Sequence, residues 1–160
     1  MMKKWFLLLS ATVFLAASCS VSKSARGQRN LLSGTWSLND ISYENNTGNF
    51  KSVIFNDAED ICFEGSEWFF RDNNSTGRYT IQNSTLCSGG DRYIRWSVVE
   101  RAESYNSQLQ FKFIDDKRKD VSGLGYRLTI ANLTETAMTL KSNVSVDGEP
   151  LTIVYQFTKK

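Results

Sequence analysis

The residues of this chain that could do covalent chemistry are three cysteines, Cys19, Cys62 and Cys87. The 160-residue sequence contains no histidine, which excludes the Ser-His-Asp and Cys-His arrangements of many hydrolases. It also lacks the G-x-S-x-G motif that forms the nucleophile elbow of α/β-hydrolases. We therefore predict that the protein is not an enzyme, with no catalytic residue and no cofactor, and that its cysteines form structural or anchoring links.

Cys19 ends a short apolar segment at the N-terminus. Lys3 and Lys4 precede an apolar run over residues 5–17, followed by small residues, which is the order of a secretory signal. About 13 apolar or small residues are too few to cross a bilayer as a helix. The segment LAASC at positions 15–19 resembles the lipobox of bacterial lipoproteins. An ordinary secretory signal that is cut near Ser18 is the alternative.

The resemblance to lipoproteins implies that residues 1–18 form a signal peptide, which is removed. It also implies that Cys19 is lipidated with a diacylglycerol and that the new N-terminus carries an acyl chain such as palmitate. Several acyl chains anchor a protein firmly, because each buried methylene contributes about 0.8 kcal/mol. Residues 20–23 contain neither an Asp after the cysteine nor an acidic run. This favours the bacterial cell envelope as the location, on the periplasmic side of the outer membrane.

Cys62 and Cys87 are the two remaining thiols of what we expect to be an exported chain, and we predict that they form a disulfide. The alternative is a metal site, but two cysteines without histidine supply too few soft ligands. A second candidate for metal binding is an acidic cluster, which lacks the regular spacing of a calcium loop and is expected to be a solvated loop; it comprises Asp57, Glu59, Asp60, Glu64 and Glu67. We predict no metal site.

Charge excludes another class of partner. Without residues 1–18, the chain has 17 basic and 17 acidic residues, so no basic excess is left to neutralise phosphates. We therefore expect no binding to nucleic acid. Lys117, Arg118 and Lys119 form a basic run that we interpret as a solvated hairpin tip rather than as an anion site.

The elements that position these residues are predicted to be strands. Apolar and polar residues alternate with period two in short runs, for example at 108–113 and 151–158, and turn residues separate the runs. We predict an all-β fold, an antiparallel up-and-down barrel of eight or nine strands over residues 34–160. Residues 19–33 are expected to form a lipidated flexible tether. Residues 56–60 could form one helical turn.

Gly34-Thr35-Trp36 stands at the start of the first predicted strand. This G-x-W motif resembles that of the lipocalin superfamily, and the wider pattern resembles the lipocalin-like lipoproteins of Bacteroidetes. That pattern includes Trp68-Phe69-Phe70 after the first paired cysteine and Ile153-Val154-Tyr155 near the end. The resemblance implies that Gly34 and Trp36 form the barrel floor. It also implies an arginine partner for this tryptophan, for which Arg127 is the nearest candidate.

The barrel interior is expected to be aromatic. An eight-stranded barrel is just wide enough to be filled by its own side chains or to hold one small ligand. The candidate ligand-binding residues on inward faces are Trp96, Phe111, Phe113, Tyr126 and Tyr155. The first hypothesis is a membrane-anchored envelope lipoprotein that binds or carries a small hydrophobic ligand. The alternative is an envelope scaffold, inhibitor or immunity-type module that binds another envelope protein and has a filled barrel.

Overall fold

A computed structural model describes residues 22–44, 52–100, 106–146 and 148–160. Cys19 and the predicted signal peptide lie outside the described residues. Within them, helix α1 spans Lys23–Leu32 and the short helix α2 spans Asp60–Phe63. The strands are β1 (Gly34–Glu44), β2 (Val53–Ile54), β3 (Ala58–Glu59), β4 (Glu67–Arg71), β5 (Thr76–Ile81), β6 (Gly90–Val99), β7 (Gln108–Phe113), β8 (Tyr126–Leu133), β9 (Ala137–Val146) and β10 (Glu149–Lys159).

Eight of these strands close into an antiparallel barrel in the order β1-β10-β9-β8-β7-β6-β5-β4. Strands β2 and β3 form a separate two-stranded hairpin. The pairing of β1 with β4 closes the barrel, so its sheet has no open edge. The predicted all-β, up-and-down barrel is therefore confirmed, with eight strands in its wall.

The alternation seen in the sequence becomes the inside and outside of this barrel. Trp96 on β6 pairs with Phe111 on β7, and both side chains are buried. Their neighbours Arg95 and Gln110 lie on the outer face, because successive residues of a strand point to opposite sides. Leu124, which is apolar and alternates with the inward residues of β8, precedes this strand and is 54% exposed.

Residues 19–33 were expected to form a flexible tether, but Lys23–Leu32 within this range form helix α1. The Ser22 hydroxyl accepts a hydrogen bond from the Ala25 amide at 3.0 Å, which caps the helix. Ala25 and Leu32 are buried, and the Arg29 guanidinium lies 4.6 Å from the ring centroid of Trp96. A segment with few apolar residues thus folds because it packs on the barrel.

The helical turn that was predicted at residues 56–60 lies further along the chain. Asn56 and Asp57 lie in the turn of the β2–β3 hairpin, and the helical turn comes later, at Asp60–Phe63. We call residues 52–66, which comprise this hairpin, α2 and their connections, the cap segment.

The barrel has two distinct ends. At the closed end, the start of β1 and the end of β10 meet helix α1. At the opposite end, which we call the open or upper end, the cap segment contacts Tyr79 of β5, Tyr126 of β8 and Tyr155 of β10. None of the described helices combines the length and apolar composition needed to span a bilayer.

Candidate functional site

The closed end is built around Trp36. Its side chain is fully buried, and its indole Nε1–H donates to the Leu32 carbonyl of helix α1 at 2.8 Å. Gly34 begins the strand at φ +118°, a conformation that disfavours any side chain, and a Cβ there would lie 3.2 Å from Lys159 Cε. The G-x-W motif therefore joins helix, first strand and last strand at one point.

The cation beside Trp36 is Lys159, so the expectation for Arg127 is wrong. Lys159 Nζ lies 5.1 Å from the Trp36 ring centroid and donates to the Leu31 carbonyl at 2.9 Å. Arg127 lies on β8, opposite Gln110, with an exposed side chain. The antiparallel pairing of Trp36 with Lys159 brings the C-terminal lysine to the ring, which makes it the structural partner at this end.

Aromatic rings fill the space above the closed end. Trp68 stacks on Tyr79 with ring centroids 4.5 Å apart, and it contacts the edges of Phe111 and Phe157 at 5.9 and 5.7 Å. Phe70 meets Trp96 edge to face at 5.4 Å. Such offset and edge-to-face pairs are favourable beyond the area that they bury. The lower half of the barrel is therefore a packed core.

The upper half of the interior is occupied by a side chain that does not come from the barrel wall. Phe55, in the turn of the β2–β3 hairpin, is 8% exposed. Its ring centroid lies 5.0 to 6.0 Å from the centroids of five other rings, those of Phe63, Trp68, Phe111, Tyr126 and Tyr155. The hairpin thus places one phenyl group where an eight-stranded barrel would hold a small ligand. We call this upper part of the interior, which is lined by the rings around Phe55, the aromatic chamber.

The backbone of Phe55 is unusual. Phe55 and Asn56 have φ values of +53° and +52°, and the Asp57 amide donates to the Ile54 carbonyl at 3.0 Å, closing a tight turn. Positive φ at both central positions is the pattern of hairpin turns that favour Asn and Gly. It is an outlier for a bulky residue such as phenylalanine. The packing of the ring compensates a local conformational cost.

Polar groups on three barrel strands hold the hairpin over the open end. The Tyr126 hydroxyl on β8 donates to the Phe55 carbonyl at 2.6 Å. The Tyr79 hydroxyl on β5 donates to Asp57 Oδ2 at 2.8 Å, and Arg92 on β6 donates from Nε to the same oxygen at 2.9 Å. A salt bridge between half-buried groups is screened less than one on the surface, so this pairing fixes the turn.

Burial shifts the titration of the hydroxyls around Phe55. Desolvation, followed by the hydrogen bond to Asp57, raises the pKa of Tyr79 far above its ordinary value. Desolvation raises the pKa of Tyr155 to about 12, although its hydrogen bond with Ser142 acts in the opposite direction. Desolvation also raises the pKa of Tyr126. These hydroxyls stay protonated at neutral pH and serve as neutral donors in an otherwise apolar chamber.

The predicted disulfide is confirmed and lies at the open end. Cys62 of α2 is bonded to Cys87, with the two Cα atoms 5.5 Å apart. Cys87 belongs to the loop between β5 and β6. At the other side of the cap segment, the Tyr43 hydroxyl is hydrogen bonded to the Asp60 carboxylate. The cap segment is therefore linked covalently to the β5–β6 loop and by hydrogen bonds to β1, β5, β6 and β8.

A cavity of about 510 Å³ is lined by the hairpin on one side and by residues of β8, β9 and β10 on the other. Its wall includes Phe55, Tyr126 and Tyr155, together with polar groups of β9 such as Ser142. Pairing between β8 and β9 starts only at Thr129 and Lys141, so their upper ends are not hydrogen bonded to each other. The Phe55 ring lines this cavity and also packs against the aromatic rings of the barrel interior.

The structure brings together four of the five candidate ligand-binding residues. Phe111, Tyr126 and Tyr155 contact Phe55 directly, and Phe113 contacts two of these rings. Trp96 lies lower, where its Nε1 donates to the Thr76 carbonyl at 3.0 Å and Arg29 covers its ring. The sequence interpretation missed Phe55, because Val53-Ile54-Phe55 has the apolar character of an ordinary strand.

The acidic cluster does not converge on one point. Asp57 pairs with Arg92, Asp60 with Tyr43, and Glu67 with Lys160 at 3.0 Å. In the described part of the chain, no group of three or more potential ligand residues is arranged to hold a metal ion.

Comparison with known proteins identifies the family. The profile of the lipocalin-like domain matches residues 32–140, well over half of the chain. A solved structure of bovine odorant binding protein, in complex with a selenium-containing odorant, is similar with a TM-score of 0.43 and 13% sequence identity. That similarity covers 91% of this chain and 78% of the bovine chain. No curated protein matches the sequence. On the strength of the domain match, this protein belongs to the lipocalin-like domain family.

Proposed function

We propose that this protein is a lipid-anchored protein of the bacterial cell envelope that binds a small apolar ligand in the upper half of its barrel. One observation carries the proposal: a phenyl ring from a hairpin turn fills the aromatic chamber, in a backbone conformation that phenylalanine disfavours. A ligand that replaces this ring would regain its contacts while the turn relaxes. We propose binding rather than catalysis.

The chemistry of the chamber defines the ligand class. Its walls are the rings of Phe111, Tyr126 and Tyr155, and the polar groups that these rings carry are neutral hydroxyls. Such a lining favours an acyl chain or a ring compound with at most one hydrogen-bonding group. The cavity of about 510 Å³ beside the hairpin would hold the remainder of the ligand.

Binding of a fluorescent fatty acid, cis-parinaric acid, tests the proposal. Phe55→Ala removes the ring that the ligand must displace, so the apparent affinity should rise about ten-fold, because a larger fraction of the protein is competent to bind. Val53→Ala is the matched control, since Val53 lies in the same hairpin but is 62% exposed. If neither the wild type nor Phe55→Ala binds the probe, the barrel is a filled core and the proposal fails.

The location is tested separately. The lipobox-like segment supports anchoring through acyl chains on Cys19. Cys19→Ala should release the protein from the membrane fraction of its host, while Cys19 in the wild type should carry a diacylglycerol by mass spectrometry. A Cys19→Ala protein that still sediments with membranes after a high-salt wash would contradict lipid anchoring.

A second candidate function is binding of another envelope protein at the open end. The observation that favours it is the exposure of Ile61 and Leu86, whose side chains are 54% and 78% exposed beside the disulfide. Exposed apolar groups that cluster at one end of a domain can mark a protein contact. Ile61→Ser with Leu86→Ser should abolish chemical crosslinking to that partner in the host without changing cis-parinaric acid binding. Unchanged crosslinking would exclude this surface.

A further inference from the structure

A second concave site lies on the outer wall of the barrel, away from the aromatic chamber. It is a groove of about 330 Å³ over β4, β5 and β6, and the turn at residues 115–118 forms one of its sides. The groove contains three arginines, Arg71, Arg78 and Arg118, and two aromatic side chains, Phe69 and Tyr93. No part of the proposed ligand binding inside the barrel uses these residues.

Arg78 occupies the middle of this wall. It is the cross-strand partner of Phe69 on one side and of Tyr93 on the other, so its side chain lies between two aromatic side chains on the same face. Its Nε is buried and has no hydrogen-bond partner. Its nearest carboxylate oxygen, on Glu67, is 3.8 Å away, and Glu67 is closer to Lys160, at 3.0 Å.

An arginine offers five N–H donors in a planar fork. Among the described residues, no hydrogen bond uses the guanidinium of Arg78, and its buried Nε is an exception to the usual satisfaction of buried polar atoms. The side chain is 43% exposed, so the outer part of the fork remains accessible from the groove. The fork is therefore available to an external acceptor.

The guanidinium groups of the other two arginines also form no hydrogen bond with the described residues. Arg71 lies with its guanidinium 5.8 Å from the ring centroid of Phe69 and forms no ion pair within the described ranges. The backbone of Arg118 is held in place, since its amide donates to the Asp115 carbonyl at 2.9 Å and its own carbonyl accepts from Arg95 at 3.2 Å. The turn thus positions the Arg118 side chain beside the groove while leaving its charge unpaired in the described structure.

Two carboxylates also line the groove, and they differ in their surroundings. Asp115 accepts a hydrogen bond from the Lys119 amide at 2.7 Å, so its charge is directed toward its own turn. Asp116 is exposed at the rim. The three arginines outnumber the two carboxylates in the lining of the groove, and Asp116 weakens its attraction for anions.

We propose that this groove binds a small organic oxyanion, a phosphate or carboxylate group attached to an apolar or planar body. Arg78, with Arg71 and Arg118, would hold the oxyanion, because guanidinium groups match the geometry of phosphate and carboxylate oxygens. Phe69 and Tyr93 would contact the attached body. The aromatic flanks distinguish this site from a surface that merely attracts inorganic ions.

NMR titration of the ¹⁵N-labelled protein with three probes tests the site. Phenyl phosphate carries both the oxyanion and the ring, inorganic phosphate only the oxyanion, and phenol only the ring. Phenyl phosphate should bind most tightly and should shift the amide signals of β4, β5 and β6. Equal affinity for inorganic phosphate would show an adventitious ion site only and would overturn the proposal, as would no binding of phenyl phosphate.

Matched variants test the assignment to residues. Arg78→Gln should weaken phenyl phosphate binding about ten-fold, as expected for loss of a charge-assisted contact. Asp116→Asn should strengthen it, since a like charge at the rim is removed. Lys117→Gln is the control, because it removes one positive charge from the same turn outside the groove. If Lys117→Gln weakens binding as much as Arg78→Gln, the attraction is general and the site is wrong.

The source of the oxyanion is resolved by vesicles. The Cys19→Ser chain, which lacks the proposed acyl anchor, is mixed with vesicles of phosphatidylglycerol or of phosphatidylcholine. Binding to phosphatidylglycerol alone that Arg78→Gln abolishes would identify a lipid headgroup, whereas binding of phenyl phosphate without vesicle binding would identify a soluble ligand. Cis-parinaric acid binding should be the same in Arg78→Gln and the wild type, so the two proposals fail independently.

Discussion

Replacement of Phe55 gives a direct measure of how much the hairpin ring contributes to the packed barrel. An aromatic side chain buries about 150–250 Å², which at about 25 cal/mol per Å² corresponds to about 4–6 kcal/mol. Alanine keeps the Cβ, and the unfolded chain already buries part of the ring, so this value is an upper bound. Since the Phe55 side chain is 8% exposed, we expect Phe55→Ala to lower the free energy of unfolding by about 3–5 kcal/mol.

The backbone of Phe55 adds a second, opposing effect that separates alanine from glycine. At φ +53° an alanine retains the steric cost of the left-handed conformation, about 1–2 kcal/mol, which glycine avoids. Glycine loses about 0.5–1 kcal/mol of this advantage through the greater entropy of its unfolded chain. We therefore expect Phe55→Gly to be more stable than Phe55→Ala by about 0.5–1 kcal/mol, the reverse of their usual order in helices and strands.

Urea denaturation of the oxidised protein, followed by tryptophan fluorescence, measures both differences. The disulfide must stay intact in every sample, so that the unfolded states are comparable. Tyr126→Phe is a useful reference, because it removes only the hydroxyl that donates to the Phe55 carbonyl and should cost about 1 kcal/mol. If Phe55→Ala is as stable as the wild type, the ring does not occupy the chamber. If alanine is more stable than glycine, the turn does not have the left-handed conformation.

Three further outcomes are expected. Reduction of the Cys62–Cys87 bond, which closes a separation of 25 residues, should lower the free energy of unfolding by about 3 kcal/mol in urea titrations without unfolding the protein; full thiol labelling of the native oxidised protein would contradict the bond. Lys159→Met should lower thermal stability more than Arg127→Met, because only Lys159 bonds a helix carbonyl and covers a buried indole; equal effects would remove Lys159 from the closed end. The raised pKa of Tyr155, about 12 against about 10 in the unfolded chain, predicts stability that is present below pH 10 and lost as pH rises toward 12, since only the unfolded chain releases this proton in that range. Tyr155→Phe should flatten this loss in denaturation curves, and an unchanged slope would show that Tyr155 is not buried.

Local patterns were sufficient to predict the barrel wall. Side-chain direction in a strand depends only on position along the strand, so the alternation at Leu109 and Phe111 predicted the buried face of β7 correctly. The disulfide followed from the count of cysteines in a chain expected to be exported. Lipidation of Cys19 also depends on a local sequence, and it stays a prediction.

Local sequence patterns could not predict contacts between distant segments of the chain. Helix α1 is poor in apolar residues, and it is stabilised by Ser22 at its start and by Arg29, which reaches Asp72 and Ser75 across the closed end. Lys159 became the partner of Trp36 because the last strand pairs with the first. Neither contact has a signature within a window of neighbouring residues.

Alternation and residue type are properties of each short segment, so they were enough to predict a strand-built barrel with an aromatic interior. What occupies that interior depends on how distant segments pack in the folded protein. The ring of Phe55 meets Tyr126, 71 positions later, and Tyr155 on another strand. Its left-handed backbone is maintained by contacts with several strands at once. Such compensation between local strain and distant packing exists only after the chain has closed into the barrel.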